Sequence, residues 1–318
     1  MSDIQGLLLL PRLKIQNANT ISSPLTWGFP AMTAFIGLMQ ALERRCQLKG
    51  LDLKFGSVGV VCHQFEAQVT SGGYTRAFHL TRNPVDKTGK TAAIVEEGRV
   101  HFELSLIFEV VNAVRLTPDE RQAIARQVAD EVASMRIAGG TVVPALPGER
   151  AAQPSFHGGW DDTAAMKKCW QEIRRRLLPG FALVLRDSLL QSHYTQLKER
   201  DPQTSLLDAW LDLSRLNVEC HKVSDQADWH VRRDYPGWLV PIPVGYAGLT
   251  ELHEPGVVTH ARDDKTPFRC VESVYSIGQW VSPHRLRDPD HLLWYPQYDP
   301  DSQLYHLKNS FEDESVLP

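Results

Sequence analysis

Three amides and two aromatics lie close together near the start of the sequence. Gln16-Asn17-Ala18-Asn19, followed by Trp27-Gly28-Phe29, offers amide donors and acceptors beside indole and phenyl faces. That composition suits hydrogen bonding to, and stacking on, unpaired bases. The same residues would equally make an ordinary polar loop with buried aromatics. Arg174, Arg175 and Arg176 close a predicted helix, where cations complement the macrodipole whether or not a phosphate is near. Glu219-Cys220-His221 carries ligand-type atoms, but adjacent residues rarely converge on one metal, and no second ligand pair follows at zinc-finger spacing, so no metal or cofactor is expected. Of the histidines, His63 falls on an apolar strand face and His101 on a polar one beside Glu103; without a positioned partner they read as structural or surface groups. No phosphate-binding loop, dinucleotide fingerprint, H-E-x-x-H or G-x-S-x-G occurs.

Positioning such groups requires a folded scaffold, and the composition provides for one. At 318 residues, 42% hydrophobic and 23% charged, the chain has the length of one large or two modest domains and the balance of a globular protein. The longest N-terminal apolar run, Leu7 to Leu10, is followed by Pro11 and Arg12 and is neither a membrane span nor a signal peptide. Five scattered cysteines without a C-x-x-C pair read as a reduced, cytoplasmic chain. The formal net charge of -4 means that a polyanion would have to be held by local basic clusters or shared with other subunits.

Periodicity supplies the elements. Gly6 to Ile15, with Pro11 inside it, predicts an edge-tolerant strand, and Gln16 to Ser23 a loop. Phe35, Leu38, Met39, Leu42 and Cys46 make one face of a helix from Pro30 to Leu48, on which Gly37 marks close packing against a strand. Alternation predicts half-buried strands at Val61 to Val69 and Val100 to Val110, and the polar insertion Thr70 to Gly98 between them reads as a hairpin arm. Thr117-Pro118-Asp119-Glu120 is a capping box that starts a helix running to Ser134. Arg136-Ile137-Ala138-Gly139-Gly140 then forms a glycine turn before a short strand. The expected fold class is α+β, with residues 1-145 forming a ferredoxin-like (RRM-like) domain that carries the arm at 70-98. Residues 146-162 read as a linker and 163-318 as a mixed α/β region, with a helix around Met166 to Leu177, a strand at Phe181 to Leu185 and a helix at Ser205 to Leu216.

Several long strings, LLPRLKIQNANTISSPLTWGFP, FHLTRNP with TAAIVEEGR, MRIAGG, LLPGFALV, GWLVPIPVGY and WVSPHRL, resemble the second Csy subunit of type I-F CRISPR-Cas systems, in the same order from about Leu7 to Leu293. That family belongs to the repeat-associated RNA-binding (RAMP) superfamily built on ferredoxin-like domains. The resemblance implies a non-catalytic subunit of the Csy surveillance complex, the type I-F Cascade. Such a subunit would pair with the large Csy subunit, hold the 5′ handle of the crRNA beside the first backbone Csy subunit, and reach target DNA through the assembled complex. The arm occupies the place of the thumb in related handle-binding subunits. Because this chain lacks a fused large-subunit segment, a stand-alone, interference-type subunit is expected.

Chemistry and position then select the expected RNA contacts: Asn17, Asn19, Trp27 and Phe29 in the first loop, Arg76, Arg82 and Asn83 in the arm, and Arg136, Gly139 and Gly140 in the glycine turn. Arginines would neutralise phosphates, amides would read base edges, and glycines would let backbone N–H groups approach the RNA. The polar face of Gln64, Glu66, His101 and Glu103 lacks stacking aromatics, so loops and arm are favoured over the open sheet. The alternative is a metal-independent endoribonuclease with His79 as its base. Eight tryptophans, several of them late in the chain, suggest a permanent partner.

Overall fold

The run Leu7 to Leu10 is buried on both sides of a sheet: Leu8 and Leu10 face one core and Leu7 and Leu9 another. In the computed structural model, which describes residues 4–79, 85, 87–91, 97–112, 116–145, 152–160, 162–223, 226–261 and 263–311, this run opens strand β1 (Gly6–Asn19). Helix α1 (Met32–Leu48), strand β2 (Phe55–Ala67), the arm strands β3 (Val69–Gly72) and β4 (Thr75–Phe78), strand β5 (Arg99–Val110), helix α2 (Pro118–Ala133) and the short strands β6 (Arg136–Ile137) and β7 (Gly140–Val143) follow. They pair antiparallel in the order β6-β7-β1-β5-β2. Among the described residues the arm begins as the separate two-stranded ladder β3-β4.

Strand β1 is therefore central, not an edge, and it runs four residues beyond Ile15 to Asn19. Pro11 is tolerated because the register of β1 against β5 breaks between Leu10 and Leu13, with Arg12 at φ 55, so the missing N–H falls at a bulge. A second break between Ile15 and Ala18 puts Asn17 at φ 57, a conformation that asparagine accepts more readily than most residues. Helix α2 carries the expected capping box: Thr117 Oγ1 accepts from Glu120 N at 3.3 Å, while Glu120 Oε2 accepts from Thr117 N at 2.7 Å.

Within residues 146–162, strand β8 (Ser155–Gly158) pairs with the first part of β1. Helix α3 (Thr163–Arg176) packs Trp170 and Ile173 onto the Leu7 and Leu9 side of the sheet. Strand β9 (Phe181–Leu185) extends the sheet from β2, helices α4 (Asp187–Arg200) and α5 (Leu206–Ser214) follow, and β10 (Asn217–Val223) with β11 (Gln226–Arg232) makes a hairpin off the main sheet. The sheet continues through β13 (Val271–Val281), β12 (Trp238–Gly248), β15 (Leu304–Asn309) and β14 (Trp294–Asp299), and Trp294 pairs back onto Val58 of β2. The pairings β2-β9-β13-β12-β15-β14-β2 thus close a ring. No helix among the described residues is long and apolar enough to cross a membrane.

Candidate nucleic-acid interface

The end of β1, the glycine turn, the start of α1 and the β12-β15 ladder converge on one open groove of about 590 Å³. Each wall has a local cause. In the turn, Ala138 (φ 48) and Gly139 (φ 79) both adopt left-handed backbone, and Gly139 lines the groove. Gly140 serves packing: a Cβ there would lie 2.5 Å from Ile15 Cγ2 and 2.9 Å from Ala18 Cα, so only glycine lets β7 press onto β1. Arg136 donates from Nη1 to Gly139 O at 3.1 Å, which holds its guanidinium over the turn.

Helix α1 begins without a side-chain cap: Ala31 is its N-cap and no acidic residue occupies the first turn. Its first N–H groups therefore carry partial positive charge with no side-chain acceptor, next to Ala31, Thr33 and Ala34 in the groove wall. Gly37 is exposed on the same wall, and a Cβ there would meet nothing within 4 Å. The expectation that Gly37 packs on a strand is corrected: its missing side chain leaves groove floor instead. Opposite stand Tyr246 and Tyr305, a cross-strand pair between β12 and β15. Burial, reinforced by Tyr246, pushes the Tyr305 phenol above its ordinary range. Neither tyrosine is marked as a site residue by the sequence, where nothing signals that β12 and β15 pair.

Of the expected contacts, Asn19 and Gly139 line this groove and Arg136 borders it. The Asn19 side chain closes the first loop on itself, donating to Ile21 O at 2.7 Å and accepting from Ile21 N at 3.1 Å, while Asn19 N bonds Ala138 O at 2.8 Å. Asn17 lies elsewhere, its N–H on His101 Nδ1 at 3.1 Å. Trp27 is 52% exposed and meets Phe78 of the arm edge-on at 5.5 Å. Phe29 packs inward against Phe35, Phe102 and Trp280 at 5.0 to 5.8 Å. Arg76 is exposed on β4, paired in register with Ser71; Arg82 and Asn83 lie outside the described residues. The first loop is internally bonded: Ser22 Oγ and Ser23 Oγ lie 2.8 and 2.7 Å from Thr26 Oγ1, and Gly28 N donates to Thr20 O at 2.7 Å.

The other chemical candidates resolve into structure. His63 bonds Ser105 Oγ at 2.7 Å and Pro179 O at 2.6 Å, and burial pulls its pKa below the ordinary 6.5. His79 is exposed, with no side-chain hydrogen bond among the described residues. Arg174 donates to Leu286 O at 2.8 Å and Arg176 to Ser155 Oγ at 2.6 Å, so two of the three arginines ending α3 tie down chain segments. On β10, Cys220 faces away from Glu219 and His221, as strand alternation requires. His193, Asp212 and Asp234 bring ligand-type atoms within 4.8 Å, yet Asp212 is already met by His193 at 2.9 Å, Arg215 at 2.8 Å and Arg232 at 2.8 Å. Burial alone would raise the Asp212 carboxyl; bonds from Arg215 and His193 and the Arg232 charge hold it below the ordinary value.

The arrangement offers what a single strand of nucleic acid needs at close range: a helix start without a side-chain cap, aromatic faces, and glycines at positions 37 and 139 of the lining. Among the described residues no charged side chain lines the groove itself. A family model described as CRISPR-associated protein (Cas_Csy2) matches residues 8–307. A CRISPR-associated protein Csy2 from Pseudomonas aeruginosa (strain UCBPP-PA14) is 48% identical to this chain, over 96% of this chain and 95% of its own length.

Proposed function

Because the chain belongs to the Csy2 family of CRISPR-associated proteins, the second Csy subunit of type I-F systems, we propose that it is the non-catalytic subunit that holds the 5′ handle of the crRNA in the groove between α1, the glycine turn and the β12-β15 ladder. The observation carrying this reading is the convergence, on one groove, of the α1 terminus, which has no side-chain cap, with Tyr246 and Tyr305. A handle phosphate sits at the α1 N–H groups and near Arg136, where the helix dipole supplies positive potential despite the net charge of -4. Adjacent bases lie against the tyrosine pair, and the exposed Gly37 lets the sugar-phosphate chain approach the helix closely.

The strand order β7-β1-β5-β2 supports the ferredoxin-like RAMP assignment, since β1-α1-β2-β5-α2-β7 is the β-α-β-β-α-β order of that fold. The arm, rooted between β2 and β5, is then the thumb, and Trp27 against Phe78 couples it to the first loop. In this reading the chain pairs with the large Csy subunit, abuts the first backbone subunit, and meets target DNA through the assembled complex. The test is to titrate the purified chain, alone and with its large subunit, with handle RNA and with a scrambled RNA, and to examine the RNA afterwards. Selective binding with intact RNA is expected. A 2′,3′-cyclic phosphate product would make the chain a nuclease, and equal binding of both RNAs would remove handle recognition.

A further inference from the structure

The first loop also borders a second cavity, of about 260 Å³, lined by Gly28, Phe29, Gln64, Phe65, Trp238 and Trp280, with Phe181, Cys62 and His63 completing its wall. Its rings form one aromatic cup. Trp280 meets Phe29 edge-on at 5.0 Å and Trp238 at 6.2 Å, and Phe181 meets Trp238 at 6.5 Å. Core aromatics are normally covered, but here Trp238 is 61%, Phe181 48% and Phe65 43% exposed.

We propose that this cup receives one unstacked base of the RNA held in the groove, an assignment that rests on the handle-binding reading and adds a subsite to it. Three observations favour a base over an apolar side chain from a protein partner. The first is continuity, because the loop whose Ser22, Pro30 and Ala31 line the groove supplies Gly28 and Phe29 to the cup. Gly28, at φ 127, puts no side chain at this junction, and a Cβ there would meet nothing within 4 Å. The second is the polar inventory. Both His63 nitrogens and the Cys62 thiol are already bonded, whereas the exposed Gln64 amide at the rim makes no side-chain hydrogen bond among the described residues. It thus offers the paired donor and acceptor that a base edge uses. The third is charge. Among the described residues no charged side chain lines the cup, which suits a neutral base whose phosphate stays outside, in the groove.

The experiment pairs protein variants with RNA that lacks single bases. The full chain is titrated with handle RNA and with a set of the same RNA carrying one abasic site at each position in turn, for wild type, Trp238→Ala, Trp238→Phe and Gln64→Ala. One abasic position and Trp238→Ala are each expected to weaken binding about tenfold, as the loss of one base–aromatic stack does, with no further loss when combined. Trp238→Phe should retain most of the affinity. Gln64→Ala, at an exposed rim position, supplies the same comparison if the tryptophan variant does not fold, and should lose its effect at that same abasic position. Additive losses, or full affinity in both the Trp238→Ala and Gln64→Ala chains, would overturn the cup. Handle binding by those variants would then leave the groove reading standing, whereas a wild type that binds no handle RNA removes both. A flat abasic series with Trp238→Ala impaired only in capturing the large subunit would make the cup a protein anchor and refute the base.

Discussion

Replacing Gly37 separates stability from binding at one atom. Glycine inside a helix costs about 0.8–1.0 kcal/mol relative to alanine. A Cβ at Gly37 would meet nothing within 4 Å, so no packing penalty offsets that gain. Gly37→Ala should therefore stabilise the free protein by about 0.5–1 kcal/mol, a rise of roughly 2 °C in melting temperature for a domain of this size. Gly37→Gln, also a good helix former, should fold at least as well as wild type and project its side chain across the groove floor. If the RNA backbone lies on that floor, Gly37→Gln must cost about 1–3 kcal/mol of handle affinity, a loss of about fivefold or more, because it displaces the helix-terminus contact as well as the stack. The assay is a thermal melt and an RNA titration on the same preparation. Unchanged handle affinity in a well-folded Gly37→Gln chain would refute the groove as the RNA site. A loss of stability in Gly37→Ala would refute the open geometry assigned to α1.

Four further outcomes follow from named contacts. Asp212→Asn leaves Arg232, Arg215 and His193 without their shared carboxylate, and because Asp212 is 8% exposed but Arg215 largely solvated, about 2–4 kcal/mol of stability should be lost in denaturant titration; a change below 0.5 kcal/mol would dismiss the ion-pair hub. Gly140→Ala should destabilise by about 1–3 kcal/mol through the clash with Ile15 and Ala18, whereas a neutral result would mean that β7 does not press on β1. Burial pulls the His63 and His157 pKa values down, so the unfolded chain binds protons first on acidification; the melting temperature should hold above about pH 6.5 and fall as pH drops below it, and a rise over that interval would contradict the buried neutral imidazoles. Burial pushes the Cys46 and Cys62 thiols up to about 11 and about 12, so iodoacetamide at pH 8 should modify exposed Cys220 and Cys270 first, read by peptide mass; rapid labelling of Cys46 would refute its burial.

The legible parts of the fold are those where a local pattern meets one packed face. Val100, Phe102, Leu104, Leu106, Phe108 and Val110 alternate because one face of β5 covers a single core, and Thr117 with Glu120 is a local signal that needs no tertiary help. Strand β1 was harder to read: the Leu7 to Leu10 run is buried on both faces and so carries no alternation, and Pro11 suggests an edge until the bulge at Arg12 is known. Helix α4 has weak periodicity because it buries Leu189, Leu190 and His193 and little else. The site divides in the same way. Asn19 and the glycine turn stand out by residue type, but Tyr246 and Tyr305 reach the groove only through the β12-β15 pairing, and Trp238 and Phe65 reach the cup from different strands. The first loop also carries more order than its polar composition implies, since Asn19 bonds the backbone of Ile21 while Ser22, Ser23 and Thr26 bond one another.

The most direct test of the central claim is a zero-length crosslink between handle RNA and the chain. Handle RNA carrying 4-thiouridine in place of each uridine is bound to the full protein, irradiated and digested, and the crosslinked peptides are identified by mass spectrometry. The account predicts adducts on the segment from Pro30 to Gln40 or on Tyr246 and Tyr305, competed away by unlabelled handle RNA. Adducts confined to the β10-β11 hairpin or to α3, with none on the groove, would contradict it.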